Sequence, residues 1–296
     1  MRAGDDLIAL YWTTSGPVEV HFGREWSLFD LRDRCEQAAR VGFRGIGLWH
    51  ADHLEHVLES RTLQDVRSIL DEYGLDQIEL EFLGDWFLDP GDERRKAADE
   101  RRELLFGAAA ELPAHHIKVG NIVGTECELP RIVEGFGELC ADAARYTDAK
   151  IVYEFMPYDV QVNDVDTALE VVEGADAPNG GLAFDTWHLG KLRLEPDELR
   201  RIPPRFLGWV ELCDGPYEYA EDRLDEVINR RKLPGEGEFP VAEYVAVFRE
   251  LGYDGPWGVE VLSEELRSLP IEQIFDRAYE TTSAQLAVSR ERSLGV

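Results

Sequence analysis

The sequence is poor in basic residues and in cysteine. It has 31 lysines and arginines against 60 aspartates and glutamates, which gives a formal net charge of -29. Without a net positive field to replace counterions, binding to nucleic acid is disfavoured, and an anionic membrane surface would repel the chain. The four cysteines lack the pair spacing of a zinc knuckle or a disulfide framework. The expected location is a reducing cytoplasm.

Long apolar runs and linkers are also missing. No run reaches the length of a membrane span, and the first residues, Met-Arg-Ala-Gly-Asp-Asp, lack the apolar centre of a signal peptide. No stretch rich in proline, glycine and serine divides the 296 residues. Barrels of alternating strands and helices reach this length as one domain. We therefore expect a single domain over residues 1–296.

What the chain does contain is a series of short apolar runs that alternate with helical patterns. Helices over 28–41 and 63–73 are expected to end at Gly42 and Gly74, because glycine favours the left-handed turn after a helix. The expected strands are 7–12, 45–49, 77–83, 116–121, 150–155, 181–184, 207–212 and 256–261. This order predicts the α/β class, as a (β/α)8 TIM barrel whose active site lies at the carboxyl ends of the strands.

Four of these expected strands carry an acid where the strand ends. They are strands five to eight, and the acids are Glu154, Asp185, Glu211 and Glu260. In a closed barrel the four carboxylates would converge, and they cannot all stay ionised without a compensating positive charge. Carboxylate oxygens are the ligands of hard ions such as Mg²⁺ and Mn²⁺. The pattern predicts one divalent metal, although any one of these acids alone is as readily a capping or salt-bridging residue.

Other polar residues are expected around the same barrel mouth. His188 follows Asp185 by three positions, so we expect it to face the pocket as an acid or base, or else to bond a loop carbonyl. Glu81 and Lys118 are expected either to bind substrate or to pair with each other. Arg231 precedes a glycine turn in a long connection, which is typical of a functional loop. The substrate-binding candidates are His50, Glu81, Lys118 and Arg231.

Three motifs resemble the sugar phosphate isomerase/epimerase group of xylose-isomerase-like barrels, over nearly the whole chain. They are Phe-Asp185-Thr-Trp-His188, Glu-Leu-Cys-Asp214-Gly-Pro216 and Arg-Lys-Leu-Pro-Gly-Glu-Gly237. The resemblance implies one Mn²⁺, or Mg²⁺ or Co²⁺, held by Glu154, Asp185, the strand-seven residue and Glu260. Members most often have histidine or glutamine where this chain has Glu211. Because of this departure, three interpretations of Glu211 stay open: it binds the metal, it acts as a base, or it indicates a weakened metal site.

Within this group the chain is most similar to the dehydratase branch. The segments Tyr-Trp-Thr-Thr-Ser-Gly, near the start of the chain, and Gly-Leu-Trp-His50 also resemble the α subunits of bacterial C-glycoside deglycosidases. The resemblance implies a lyase that acts on an oxidised (3-keto) sugar, glycoside or cyclitol by enolisation and β-elimination. The implied catalytic residues are His188, Glu154, Glu260 and Lys118.

Two other functions stay open at this point. A ketose epimerase or sugar isomerase shares the enolisation step, and a non-catalytic barrel subunit is compatible with the unusual Glu211. A DNA-repair endonuclease is disfavoured, since the chain has 7 histidines and no basic groove. Both a homo-oligomer and a smaller second subunit are compatible with the resemblance. Trp86 and Phe87 are expected either to be exposed toward such a partner or to cover the barrel mouth.

Overall fold

Eight short runs form strands because each supplies apolar side chains to the core between the strands and the helices. The computed structural model describes residues 5–20, 23–122 and 124–293. Within these ranges the strands pair in sequence order and in parallel, and β8 pairs with β1, which closes the barrel and confirms the predicted fold. The strands are β1 Leu7–Ala9, β2 Gly45–Trp49, β3 Gln77–Leu83, β4 Ala114–Gly120, β5 Lys150–Glu154, β6 Gly180–Asp185, β7 Leu207–Leu212 and β8 Trp257–Val259.

Helices connect the strands, and local signals fix several of their ends. A capping box of Thr62 and Asp65 begins one helix, and Gly74, with φ +68°, ends it. The α-helices are Tyr11–Thr14, Leu31–Val41, Leu63–Tyr73, Glu93–Glu111, Leu129–Ala143, Val165–Ala175, Thr186–Lys191, Arg223–Asn229, Val241–Glu250, Glu264–Arg267 and Ile271–Ser293. Shorter 3₁₀ turns span Val57–Glu59, Pro196–Arg201 and Pro204–Phe206, and a π-helical turn spans His50–His56. No helix in the described ranges combines the length and the apolar character that crossing a membrane requires.

The barrel interior has an apolar layer below a polar one. Ile8, Leu10, Val152, Ala183 and Trp209 form a buried cluster that is separate from the larger core between strands and helices. Side chains two positions apart on a strand point to the same face. The residues two positions after Val152, Ala183 and Trp209 are acids, so the fold itself directs these acids into the barrel above the apolar layer.

The structure corrects three expectations about single elements. The expected first strand ends at Ala9, because the chain turns into the helix Tyr11–Thr14. The hydroxyl of Thr13 accepts a hydrogen bond from the N–H of Val261, at 2.7 Å, so β8 also stops early and Glu260 lies just beyond it. The long connection between β7 and β8 contains an unforeseen helix, Arg223–Asn229.

The expected exposure of two aromatic residues is also wrong. Trp86 is 3% exposed and Phe87 is fully buried, both within the main core. Trp86 packs edge-on against Tyr153, with 6.1 Å between ring centroids. Burying such rings removes a large apolar area from water, which outweighs any tendency of this loop to remain exposed. These rings are not a surface for a partner.

Candidate active site

Four acids from neighbouring strands meet at the carboxyl-terminal face of the barrel. Glu154 ends β5, Asp185 ends β6, Glu211 lies near the end of β7 and Glu260 follows β8. The strand register sets Asp185 opposite Glu211. All four side chains are buried, and one carboxylate oxygen from each lies within 4.8 Å of the others. The structure thus brings together the residues that were expected to surround one cation.

Lys118, from β4, reaches the centre of this cluster. Its Nζ lies 2.7 Å from Glu211 Oε1, 2.7 Å from Glu260 Oε1 and 3.0 Å from Glu81 Oε2. Glu79 Oε1 is a little more distant, at 3.5 Å. The pairing of Lys118 with Glu81 that was expected as one alternative is present. The ammonium nevertheless joins acids from both halves of the barrel, so it is far more than one partner of a surface ion pair.

Arg231 reaches the cluster from the connection between β7 and β8. Its Nη1 lies 2.6 Å from Asp185 Oδ2 and 3.5 Å from Glu260 Oε2. The other oxygen of Asp185 accepts a hydrogen bond from the N–H of Trp187 at 2.8 Å. Burial alone would raise the pKa of Asp185, but the guanidinium of Arg231 lowers this pKa below its ordinary value. Asp185 is therefore held ionised and in a fixed orientation.

The other acids of the cluster have too few positively charged neighbours to be ionised together. Burial raises the pKa of Glu154 to about 8, with Lys118 opposing this rise and Glu260 adding to it. Burial likewise raises the pKa of Glu211 and of Glu81. Several desolvated carboxylates near each other cannot all be ionised at neutral pH unless more positive charge is present. A cation or bound protons must supply it.

The donor atoms fit a divalent cation. Glu154, Asp185, Glu211 and Glu260 offer four oxygens, and His188 offers a ring nitrogen close to the first two. Carboxylate oxygen is the ligand of hard ions, and a mixed oxygen and imidazole set also accepts several transition metals. The ordinary alternative for clustered acids, a solvated surface patch, does not apply because these side chains are buried.

His188 lies beside two of these acids. The helix Thr186–Lys191 begins directly after Asp185, so its first turn carries the imidazole back over the strand end. Nδ1 is 3.6 Å from Glu154 Oε1, and Nε2 is 3.7 Å from Asp185 Oδ2. Burial lowers the pKa of His188 to about 4, although the charge of Asp185 opposes this effect. The ring is neutral at pH 7 and can accept a proton.

His50 lies at the mouth of the barrel but not among the acids. Its Nδ1 accepts a hydrogen bond from the N–H of Phe82 at 3.4 Å. Together with Phe82 and Asn121 it lines a separate small cavity on the β2–β4 side. The structure therefore divides the expected residues into an acid cluster, joined by Glu81, Lys118, His188 and Arg231, and a neighbouring cavity that contains His50.

Sequence analysis missed two buried polar residues below the cluster. Glu79 Oε1 lies 3.1 Å from His116 Nε2, and both side chains are fully buried. Glu79 precedes Glu81 by two positions, and His116 precedes Lys118 by two positions. The period of two along a strand puts each pair on the same face. That alternation was the available signal, and it identifies a second polar layer inside the barrel.

Fold and site together define a (β/α)8 barrel with a candidate divalent-metal centre at its carboxyl-terminal face. Residues 35–284 match the family described as the xylose isomerase-like TIM barrel. The match covers most of the chain, and the chain belongs to this family. The predicted resemblance to xylose-isomerase-like barrels is confirmed.

The curated relatives are enzymes. A 3-dehydroshikimate dehydratase of Pseudomonas aeruginosa is 28% identical over 241 residues, which cover 81% of this chain and 37% of the dehydratase. An inosose isomerase of Bacillus velezensis is 20% identical over 261 residues, which cover 86% of this chain and 91% of the isomerase. The chain thus spans little more than a third of the length of the dehydratase and nearly all of the isomerase.

Solved structures share the fold at low sequence identity. The IolI protein, solved with a bound zinc atom, has a TM-score of 0.79 and 18% identity, with 95% of this chain and 98% of that protein covered. A D-allulose 3-epimerase from Methylomonas in complex with D-allulose has a TM-score of 0.71 and 17% identity, with coverage of 95% and 97%. At such identities the likeness establishes the barrel and no particular reaction.

Proposed function

We propose that this chain, as one barrel domain over residues 1–296, is a divalent-metal-dependent lyase. It acts on an oxidised (3-keto) sugar, glycoside or cyclitol by enolisation and β-elimination. The observation that carries this proposal is the buried acid cluster with the neutral imidazole of His188 beside Glu154 and Asp185. The dehydratase relatives support elimination as the reaction class.

Enolisation requires a base beside the substrate and positive charge at its ketone oxygen. A proton next to a ketone becomes acidic when the negative charge that develops on the oxygen is stabilised. Glu154, Asp185, Glu211 and Glu260 would hold a divalent ion, which would supply this stabilisation as a Lewis acid. We propose Mn²⁺, with Mg²⁺ or Co²⁺ as alternatives, because an oxygen-rich donor set favours harder ions.

The chain's own groups carry the proton transfers. His188 takes the proton from the carbon next to the ketone, because its ring is neutral and neither ring nitrogen has a hydrogen-bond partner among the described residues. The bond between the β carbon and the leaving group then breaks, and the leaving group departs with the proton that His188 took up, passed on through Glu154 or Glu260. Lys118 and Arg231 donate hydrogen bonds that orient the substrate oxygens. When the leaving group is water the enzyme is a dehydratase, and when it is an aglycone the enzyme is of the C-glycoside deglycosidase type.

A ketose epimerase or sugar isomerase is the second candidate. The inosose isomerase relatives favour it, since the match spans 91% of the length of the Bacillus velezensis protein. Both reactions begin with the same proton removal. They differ in whether the proton returns to the substrate or a group leaves, so a product of lower mass indicates the lyase and a product of equal mass indicates the isomerase.

The substrate size and the cellular location that we propose follow from the composition and from the cysteines. The substrate we propose is a small molecule, since the net charge of -29 disfavours nucleic acid and anionic membranes. Cys35, Cys127, Cys140 and Cys213 are all free thiols, in keeping with the reducing cytoplasm we propose. A homo-oligomer or a smaller second subunit stays a prediction.

The metal centre is tested by metal analysis combined with an activity assay. The purified protein should contain about one divalent ion per chain, and chelation should abolish turnover of 3-dehydroshikimate, an inosose or a 3-keto glycoside. Added Mn²⁺ should restore it. Glu154→Gln and Glu260→Gln should lower both the metal content and the activity, because each removes one charged ligand oxygen.

Glu103→Gln is the matched control for these two variants. Glu103 is exposed on the outer helix Glu93–Glu111, so its loss of charge is equal but distant from the cluster. Metal content and activity should not change in this variant. A wild-type protein that binds no divalent ion, or that keeps full activity after chelation, would count against the proposed function.

A further inference from the structure

A cavity of about 210 Å³ opens beside the acid cluster, at the carboxyl ends of β2, β3 and β4. Trp49 and Phe82 supply apolar walls, and Arg101 and His50 supply polar atoms. We infer that this cavity is a subsite for a carboxylate group of the substrate, bound by Arg101 and His50. The inference rests on the proposed function, because it names the substrate class that the same barrel mouth accepts.

Among the residues that the structure describes, Arg101 has no acid partner. In the described part of the chain no carboxylate lies within ion-pair distance of it, and its Nε is buried without a hydrogen bond. The next residue of the same helix, Arg102, lies 3.3 Å from Asp99 and 3.6 Å from Asp142. In a chain with twice as many acids as bases, an unpaired guanidinium in a cavity is a donor left for a ligand.

His50 supplies a second donor in the same cavity. Its side chain is 7% exposed, and its Nδ1 accepts the N–H of Phe82 at 3.4 Å. A neutral imidazole that accepts at Nδ1 carries its proton on Nε2, which leaves an N–H for a ligand oxygen. Burial and the nearby charge of Arg101 lower the pKa of His50 and keep the ring neutral.

The charge balance of the cavity favours a monoanion. Two acids also line it: Glu25 accepts a hydrogen bond from Trp49 Nε1 at 3.2 Å, and Asp85 accepts one from Thr125 Oγ1 at 3.3 Å and lies 4.0 Å from Nη1 of Arg94. One guanidinium and one neutral N–H suit the two oxygens of a carboxylate. A phosphate dianion would bring one more negative charge than a carboxylate toward the same two acids, and like charges repel.

The cavity adjoins the acid cluster through β3. Phe82 lines the cavity, and the preceding residue, Glu81, contacts Lys118 at 3.0 Å. The same ammonium contacts Glu260 at 2.7 Å. In this proposal, a cyclic substrate that is bound through its carboxylate at Arg101 extends its ring toward Glu81 and Lys118.

The test measures binding of unreactive probes to the metal-loaded, full-length protein by titration calorimetry. Shikimate carries a carboxylate and no ketone, methyl shikimate lacks the charge, and fructose 6-phosphate carries a dianion. We expect shikimate to bind at least about 10-fold more tightly than its methyl ester. Arg101→Gln should weaken shikimate binding by about 10- to 100-fold and leave binding of the ester unchanged. Arg101→Lys should recover part of the loss.

Arg102→Gln is the matched control, because it removes the same charge from the neighbouring residue outside the cavity. It should leave binding of all three probes unchanged. Equal affinity of the wild type for acid and ester, tighter binding of the phosphate than of shikimate, or an equal loss for both probes in Arg101→Gln would each overturn the inference. If Arg101→Gln does not fold, the affinities of the wild type for shikimate and for methyl shikimate decide whether the inference holds. Carboxylate-selective binding without any turnover would retain the subsite and reject the lyase.

Discussion

His188 contacts two different acids through its two ring nitrogens. Nδ1 faces Glu154 at 3.6 Å, and Nε2 faces Asp185 at 3.7 Å. Both distances exceed hydrogen-bonding length, so the imidazole is close to the acids without being bound tightly to either. A group in this position has room to exchange a proton with a substrate that enters between them.

Replacing His188 separates a proton-transfer role from a metal-binding role. His188→Gln should lower kcat by about 10²- to 10⁴-fold, because the amide has similar size but cannot accept the substrate proton. Metal content should stay near that of the wild type, since four carboxylates remain. Metal analysis and steady-state kinetics of the same preparation check both expectations.

His56→Gln is the control for this variant, since the side chain of His56 is 44% exposed and lies outside the acid cluster. Its activity should equal that of the wild type. Loss of the metal together with the activity in His188→Gln would make His188 a ligand rather than a base. Unchanged activity would remove it from the mechanism.

At the scale of structural elements, the connection between β7 and β8 is held closed by one carboxylate. Asp214 is buried, and its Oδ1 accepts from the N–H groups of Gly215 and Phe239 at 2.8 and 2.9 Å. Its Oδ2 accepts from the N–H of Gly235 at 3.0 Å. Asp214 thereby ties the start of the connection to its end, and the connection carries Arg231 to the cluster.

Removing this carboxylate should loosen the whole connection. Asp214→Ala leaves the buried N–H groups of Gly215 and Phe239 and the partly buried N–H of Gly235 without an acceptor. The free energy of unfolding should fall by a few kcal/mol, at about 1–3 kcal/mol for each buried unsatisfied group. Activity should fall as well, because Arg231 loses its fixed position. Denaturant unfolding and kinetics measure the two effects.

Asp214→Asn is the matched variant, because its amide oxygen can still accept hydrogen bonds at one position. It should lose less stability and less activity than the alanine variant. Equal stability of the wild type and Asp214→Ala would show that the connection does not depend on these hydrogen bonds.

At the scale of the whole molecule, buried histidines tie stability to pH. Burial lowers the pKa of His50 to about 3, and burial also lowers the pKa of His116 in spite of its hydrogen bond with Glu79. The unfolded chain titrates its histidines near pH 6.5. Below that pH the unfolded state binds protons that the folded state does not. The contribution of these histidines to the free energy of unfolding is therefore complete above about pH 6.5 and is lost as pH falls toward 3.

The expected contribution of His50 is about 2 kcal/mol between pH 7 and pH 5. His50→Gln should therefore lose about 2 kcal/mol less stability than the wild type over this range, as measured by urea unfolding at both pH values. His56→Gln should show the slope of the wild type, because this histidine is exposed. An identical pH dependence in His50→Gln and the wild type would contradict the folded-state pKa of His50.

Several features of this protein were predictable because they depend on local patterns. Gly42 and Gly74 end their helices with φ of +114° and +68°, as expected from sequence. Strands β2, β3 and β7 have the bounds that their apolar runs predicted. The early end of β8 was not predictable, because the N–H of Val261 just beyond it bonds to Thr13, a residue 248 positions away.

The order of residues along the chain was enough to predict the alternation of strands and helices, and hence that the acids at the ends of strands five to eight share one face. Strand periodicity and chain order fix both properties without long-range detail. Three other features became visible only in the folded barrel: Lys118 joins acids from both halves of the barrel, Trp86 is buried, and Arg101 has no acid partner among the described residues. Those outcomes depend on which side chains meet across the closed barrel, and no local pattern encodes such distances.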